Sequence, residues 1–262
     1  MLKHENKITV TGVVKNFKIK ETEGKKSKAY ISVLNEDTNN LVVVTLYDRP
    51  KFAYGSKDNK VEYNSLKGLS KEFLDAEGKS KKAFVTVIGN ATESVGQNGQ
   101  VYENNNVFAI MPSNSEKAKA EFSLLGFIKK MITLEDKDGN EYVKLTIASI
   151  NSYDKDGKTV VRGISEKQVI VRDIALVEML EDCSVGDYIG AKGNIVSTMD
   201  KYDDWGDKVA SGTREFVVTK LGKHQEQDDI DEDDIRVYKK ASKLEYGESF
   251  TISKTDDDDE LD

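Results

Sequence analysis

Hydrophobic positions recur along the chain with the period of two that half-buried strands demand. Ile8 to Val14 (ITVTGVV) alternates and is rich in β-branched residues, which suit a pleated surface. Ala29 to Leu34 (AYISVL) follows a turn region at Glu21 to Lys28, and Asn39-Asn40 turns the chain into Leu41 to Tyr47 (LVVVTLY). These three runs predict an antiparallel meander. Asn64 to Asp75 places Leu66, Leu69, Phe73 and Leu74 at the spacing of a short helix. Ala83 to Ile88 predicts a fourth strand, Gly96 to Gly99 a turn, and Val101 to Met111 a fifth strand.

The same order then returns. Phe122 to Ile128 matches the first strand, with Gly126 placed as Gly12 is. A tight turn at Asp138-Gly139-Asn140 leads into Tyr142 to Ile150, and Lys167 to Arg172 supplies the third strand. Ile174 to Leu180 carries an apolar helical stripe, Asp187 to Val196 is the fourth strand and Arg214 to Thr219 the fifth. Two β-β-β-α-β-β units, with the helix between strands three and four, predict an all-β protein with short helices. The strand order is that of two tandem OB-folds, five-stranded Greek-key barrels. A glycine in strand one fits a strand that bends to serve both sides of a barrel. The predicted organisation is a first barrel at 1–112, a linker at 113–118, a second barrel at 119–222 and an acidic C-terminal tail at 223–262. So short a linker leaves the barrels little relative freedom. Two unrelated sandwiches of similar appearance remain the alternative.

Charge changes the picture of what each part can do. The chain of 262 residues has a formal net charge of -8, unfavourable for a partner made of phosphates. That charge is unevenly placed: net +5 over 1–119, -4 over 120–222 and -9 over 223–262. No apolar run is long enough to span a bilayer, and Met1 to Val10 lacks a signal-like core, so a cytoplasmic location is expected. The single Cys183, with His4 and His224 far from it in sequence, offers no disulfide and no zinc site.

Chemistry suited to nucleic acid concentrates in the first unit. Single strands are held by a basic groove plus aromatic rings on which bases stack. Lys15, Phe17, Lys18 and Lys20 interleave a ring with cations where strand one runs into its loop; Lys25, Lys26, Lys28 and Tyr30 continue the mixture. Tyr47, Arg49, Lys51, Phe52 and Tyr54 end strand three with three rings and two cations, and Lys81 and Lys82 lie beside Phe84 before strand four. Tyr30 and Phe84 alternate with apolar residues and fit core or platform alike. The cluster from Tyr47 to Tyr54 fits base contact or packing over the barrel end. In the second unit Phe127, Lys129 and Lys130 echo the first strand, and Tyr142, Lys144, Tyr153 and Lys155 are further candidates. Trp205 lies in the loop between strands four and five, as a stacking platform or a plug, among Asp200, Asp203 and Asp204.

Signals for catalysis do not assemble. Gly78-Lys79-Ser80 and Gly157-Lys158-Thr159 resemble the end of a phosphate-binding loop, but the upstream glycine would fall at Phe73 and Ser152. No Ser-His-Asp set is available, and the acidic run Asp228 to Asp234 reads as a solvated segment instead of a two-metal site. No cofactor and no metal are expected, and the chain is read as non-enzymatic. Ile235 to Ala241 and Leu244 to Ile252 carry apolar residues able to dock or form a short helix, after a mobile Gln225 to Asp234. The chain ends Asp256, Asp257, Asp258, Asp259, Glu260, Leu261, Asp262.

This layout resembles the single-stranded DNA-binding proteins, particularly those of bacteriophages, which join an OB-fold core to an acidic tail. The resemblance implies sequence-independent coating and protection of single-stranded DNA during replication or recombination. It also implies a tail, Asp256 to Asp262, that occupies the basic groove when DNA is absent or meets replication and recombination proteins. One departure is visible: bacterial members end on an apolar or aromatic residue, whereas here Asp262 follows Leu261. A β-rich structural or DNA-mimicking interaction protein is the rival reading, and the sequence leaves the oligomeric state open.

Overall fold

The computed structural model describes residues 2–36, 38–55, 58–95, 101–113, 118–197, 201–202, 208–210, 214–245 and 247–253. β1 (Glu5–Thr22), β2 (Lys25–Asn35) and β3 (Asn40–Tyr47) form an antiparallel meander. A small hairpin, β4 (Phe52–Gly55) with β5 (Lys60–Tyr63), then leads to the short helix α1 (Leu66–Ser70). Ser65 caps that helix by accepting the Gly68 N–H, and Leu66 and Leu69 bury its apolar side. β6 (Phe84–Val95) pairs with both β1 and β7 (Val101–Pro112), and β7 meets β3 in parallel at Thr45 and Asn106. The circuit β1-β2-β3-β7-β6-β1 therefore closes into an OB-fold barrel filled by Ile31, Val33, Val44, Val85 and Val87.

The second barrel repeats the circuit with β8 (Lys119–Glu135), β9 (Glu141–Lys155), β10 (Lys158–Val171), α2 (Ile174–Met179) and β11 (Tyr188–Ser197). A short pair, β12 (Lys201–Tyr202) and β13 (Lys208–Ala210), precedes β14 (Arg214–Gln225), which meets β10 in parallel at Ile170 and Val217. The β9–β10 turn is the two-residue type that matches strand twist, with Asp156 at φ 50 and Gly157 at φ 76. Gly12 and Gly126 are counterparts in space as well as in sequence. A Cβ on either would collide with a carbonyl oxygen of the neighbouring strand, of Leu34 in one barrel and Ala148 in the other.

What joins the barrels is a strand ladder. β2 begins pairing with β1 only at Val13, and β9 with β8 only at Phe127, so the first halves of β1 and β8 each keep one free edge. These edges pair with each other antiparallel from Glu5↔Leu125 to Thr11↔Lys119. Ile8 sits opposite Phe122, and each also faces a glycine on its other side, Gly89 and Gly193. The ladder is thus centred on equivalent residues, as a pseudo-twofold requires. Side chains lock the joint. Asn40 accepts the Ser197 N–H (2.9 Å) and donates to the Ile195 carbonyl (2.6 Å). Glu93 of β6 accepts from the buried Lys167 ammonium (2.9 Å) and from the Gln168 N–H (3.1 Å), and that ammonium lies 4.0 Å from the Phe216 ring centroid.

Beyond β14 the structure differs from a free tail. A 3-10 turn (Gln227–Asp229), a helix α3 (Glu232–Ala241) and a strand β15 (Phe250–Ser253) return over the second barrel. Ile230 and Tyr238 pack on Phe127 and Tyr188, with the Tyr238 and Phe127 rings stacked at 4.3 Å. β15 pairs with β10, and Ala241 closes over Val161 and Ile150. The stretch Gln225 to Asp234, expected to be mobile, is anchored by Asp187. One carboxylate oxygen accepts the Gln227 N–H (3.0 Å); the other meets His224 Nε2 (2.9 Å) and the Ser184 N–H (2.8 Å). Burial of Ile230 and these hydrogen bonds outweigh the acidity of the segment, most of whose carboxylates are exposed. The chain start docks at the same place, with the Leu2 N–H donating to Asp234 Oδ1 at 2.8 Å and His4 between the Phe127 and Tyr188 rings.

Two outcomes follow from these contacts. Glu93→Ala removes one carboxylate from the buried Lys167 ammonium beside Phe216 and should cost about 1–3 kcal/mol in urea unfolding, whereas Glu93→Leu with Lys167→Met should restore most of it. Burial lowers the pKa of His4 to about 4, against a partial rise from a backbone hydrogen bond with Leu125. The unfolded chain therefore binds a proton that the folded chain refuses between pH 6.5 and 4. Stability should fall by up to about 2 kcal/mol from pH 7 to pH 5. Guanidinium unfolding of His4→Phe should lose that component of the pH dependence.

Candidate nucleic-acid interface

Strand register places the outward side chains of the first barrel in rows. Lys18 of β1, Tyr30 of β2 and Thr45 of β3 lie opposite one another, although Thr45 itself is buried, and Lys20, Lys28 and Tyr47 form the next row on the same face. Asn16, Ser32 and Val43 form a third. The intervening residues Phe17, Ile31, Val44, Ala29 and Leu46 all point inward and are buried. β7 extends the face, since Asn106 opposes Thr45 and Phe108 follows two residues on. Tyr47 is 43% exposed and Phe108 54%.

The electrostatics of this face favour an anion. Lys18, Lys20 and Lys26 are exposed and make no ion pair with any described residue. The Lys28 ammonium lies 5.1 Å from the Tyr30 ring centroid, and its hydrogen bond to the Tyr30 hydroxyl raises its pKa above the ordinary lysine value. Arg49 donates to the Phe108 carbonyl (3.1 Å) with its guanidinium over the Phe52 ring, so it braces β7 beside the exposed Phe108. A cavity of about 490 Å³ opens next to it between Arg49, Lys60, Phe108 and Pro112. Nothing here resembles an assembled catalytic site: the arrangement offers cations, ring faces and hydroxyls.

Several of the residues singled out in the sequence do not belong to this face. Phe17 is a correction: it is buried and stacks on Phe73 with ring centroids 5.4 Å apart. Phe52 is another, buried beneath Arg49, and Tyr54 is half-buried edge-on against Phe73 at 5.1 Å. The β4–β5 hairpin gives these rings a core to enter, so of the cluster after strand three only Tyr47, Arg49 and Lys51 face outward, and Lys51 pairs with Glu62 at 3.2 Å. Lys15, Lys81, Lys82 and half-buried Phe84 gather elsewhere, where the chain enters β6 beside Val14. Lys15 is held by Glu36 at 2.8 Å, and the Lys81 ammonium donates to the Lys71 carbonyl. In the second barrel Lys129 pairs with Glu166. The Lys25 side chain, Trp205 and Asp256 to Asp262 lie outside the described residues. Phe108 was not legible as a site residue among the runs of strand five. Its signal is the alternation Asn104, Asn106, Phe108 against the inward Asn105, Val107 and Ile110.

On the corresponding face of the second barrel Arg172 is answered by an acid. Arg172 stacks on Tyr142 (4.9 Å), and its Nη2 meets Glu215 Oε1 at 2.9 Å. Lys144 lies between Ile132 and Ile170. Among the described residues no cluster of His, Cys, Asp or Glu is placed to hold a metal ion, and no helix is long and apolar enough to cross a membrane.

No protein-family model matches the chain, and no curated protein matches it in sequence. Solved structures do share its fold. The wild-type single-stranded DNA binding protein from Thermus aquaticus superposes with a TM-score of 0.52 at 12% identity, over 85% of this chain and 94% of that one. A deletion mutant of the same protein gives 0.51 at 13% identity, over 86% and 97%. The superposition, at this low identity, shows a common fold and nothing further.

The division between core and surface rings has a direct test in stability. Phe17→Ala and Phe52→Ala should each cost about 3–5 kcal/mol. Tyr47→Ala and Phe108→Ala should stay within roughly 0.5 kcal/mol of the native chain. Thermal denaturation followed by circular dichroism separates the two groups.

Proposed function

We propose that this chain binds single-stranded DNA without sequence preference and without chemistry of its own, chiefly over the outer face of the first barrel. The observation that carries this reading is the pair of adjacent rows, Lys18-Tyr30 and Lys20-Lys28-Tyr47, flanked by Phe108. Every base has a face to stack on a ring, and every nucleotide has a phosphate to meet a lysine, so such a surface holds a strand whatever its sequence. The shared fold with a single-stranded DNA binding protein supports the reading. On this proposal residues 1–112 hold the strand, 119–222 form an accessory barrel joined through 113–118, and the protein protects single strands during replication or recombination, in a phage-infected cell's cytoplasm. The acidic end, Asp256 to Asp262, competes with DNA for the basic face or meets partner proteins; the anchored residues 227–253 do not take part.

Fluorescence anisotropy with a labelled poly-dT and a duplex of equal length, with and without magnesium, tests this. Poly-dT should bind tightly and stay intact, and the duplex should bind far more weakly. Tyr47→Ala and Phe108→Ala should each weaken poly-dT binding by about 1–3 kcal/mol, the range for one stacked base. A chain ending at Ser253 should bind more tightly at low salt. Absence of poly-dT binding would overturn the reading, and magnesium-dependent cleavage would replace it with a nuclease.

A further inference from the structure

The sheet that joins the barrels carries a second basic surface, distinct from the face just described. Lys7 of β1 is in register with Ser123 of β8, Ser123 with Lys192 of β11, and Lys192 with Lys220 of β14. The three lysines are exposed on one face and make no ion pair with any described residue. Two connected depressions of about 560 and 310 Å³, sharing Glu5, Ser123 and Lys192, run along this row. Lys3, Lys119 and Lys223 add to their walls; Lys3 pairs with Glu5 (3.9 Å) and Lys119 with Glu121 (2.8 Å), which leaves Lys7, Lys192, Lys220 and Lys223 without an ion pair to any described residue in a chain whose net charge is -8.

Neither the fold nor protection of a sheet edge accounts for the row. Like charges directly opposite on neighbouring strands destabilise a sheet, and Lys192 and Lys220 are such a pair. Lysines often guard exposed edges, but β11 is paired on both sides, by β8 and β14. The pseudo-twofold supplies an internal control. The row equivalent to Lys7-Ser123-Lys192-Lys220 is Glu121-Thr9-Ile88-Ala109, which contains no cation. The same architecture is therefore built without lysine in one half and with a lysine row in the other.

We infer that the outer face of the joining sheet, on its second-barrel side, is a track for the phosphates of a single strand. This rests on the reading of the chain as a single-stranded DNA-binding protein and extends it. Among the described residues the depressions hold no exposed aromatic ring, since Phe122 is buried, so the track grips phosphates and leaves bases unread. It lengthens the bound strand without adding base preference. β1 links the two surfaces: Lys7 and Lys18 are eleven residues apart on it, up to about 36 Å at strand rise.

The test compares the native chain, a Lys7→Gln/Lys192→Gln/Lys220→Gln variant and the matching triple Lys→Arg variant. Each is titrated with a 40-nucleotide poly-dT over a range of salt, and with long-chain inorganic polyphosphate, which has phosphates and no bases. Loss of three contacts should flatten the plot of log K against log salt for poly-dT by about 2, at roughly 0.7 per contact. Polyphosphate binding should fall at least tenfold in the Gln variant, and the Arg variant should behave as the native chain. The melting temperature of the Gln variant should hold or rise, because it relieves the Lys192–Lys220 repulsion. Unchanged slope and unchanged polyphosphate binding in the Gln variant would sink the inference. Polyphosphate binding lost in the Gln variant, in a protein that ignores poly-dT, would keep the track and reject the function proposed for the first barrel.

Discussion

The antiparallel ladder between β1 and β8 is the contact on which the rest of the molecule depends. An OB barrel built from a long first strand cannot satisfy that strand everywhere, because β2 takes up pairing only after the bend at Gly12. The preceding residues, Glu5 to Thr11, would present unpaired backbone groups at a sheet edge, and such edges invite uncontrolled pairing. The second barrel has the same deficiency at Lys119 to Leu125. Each edge is the complement of the other, so one ladder satisfies both. Every later contact between the barrels, from Asn40 on β11 to Glu93 on Lys167, is possible because the ladder fixes their orientation.

That fixed orientation shapes the two surfaces with chemistry. In the first barrel the strict in-and-out alternation of β1 and β2 sends Phe17 and Ile31 to the core and lifts Lys18 and Tyr30 to the outside. On the joining sheet, continuity across β1, β8, β11 and β14 brings three lysines, Lys7, Lys192 and Lys220, into one row with Ser123. The docked C-terminal segment covers a different region, the end of the second barrel around Phe127 and Tyr188, and leaves both surfaces open.

Much of the fold was legible in the sequence. Period-two runs marked the barrel strands, and the matched Gly12 and Gly126 marked the repeat, because a bend of one kind at one place leaves a local signature. The ladder was not legible: which edge pairs with which is a non-local choice between strands more than a hundred residues apart. The β4–β5 hairpin escaped notice because its strands are four residues each, and with it went the burial of Phe52. Phe17 was misread for a simpler reason. The lysines at 15, 18 and 20 suggested a loop, whereas β1 runs on to Thr22 and alternation alone then sends Phe17 inward. The apolar spacing of Ile235 to Ala241 allowed for docking or a short helix, whereas the anchoring of Gln225 to Asp234 and the burial of Ile230 were hidden by composition, since acidic neighbours dominate that stretch.

Two barrels of one fold need not share one chemistry, and here the difference lies in how each cation is answered. In the second barrel Arg172 faces Glu215, Lys129 faces Glu166, and Lys167 is buried against Glu93. A cation already neutralised by a carboxylate offers little to a phosphate, because binding would first have to break the existing pair. The first barrel leaves Lys18, Lys20 and Lys26 unanswered, and the joining sheet does the same for Lys7, Lys192 and Lys220. The net acidity of the chain is thus no measure of its surface. Lysines without an ion pair to any described residue gather on the first barrel and along the joint, while the segment from 223 onward carries the largest excess of acids. One surface thus presents rings with lysines, and the other presents lysines alone.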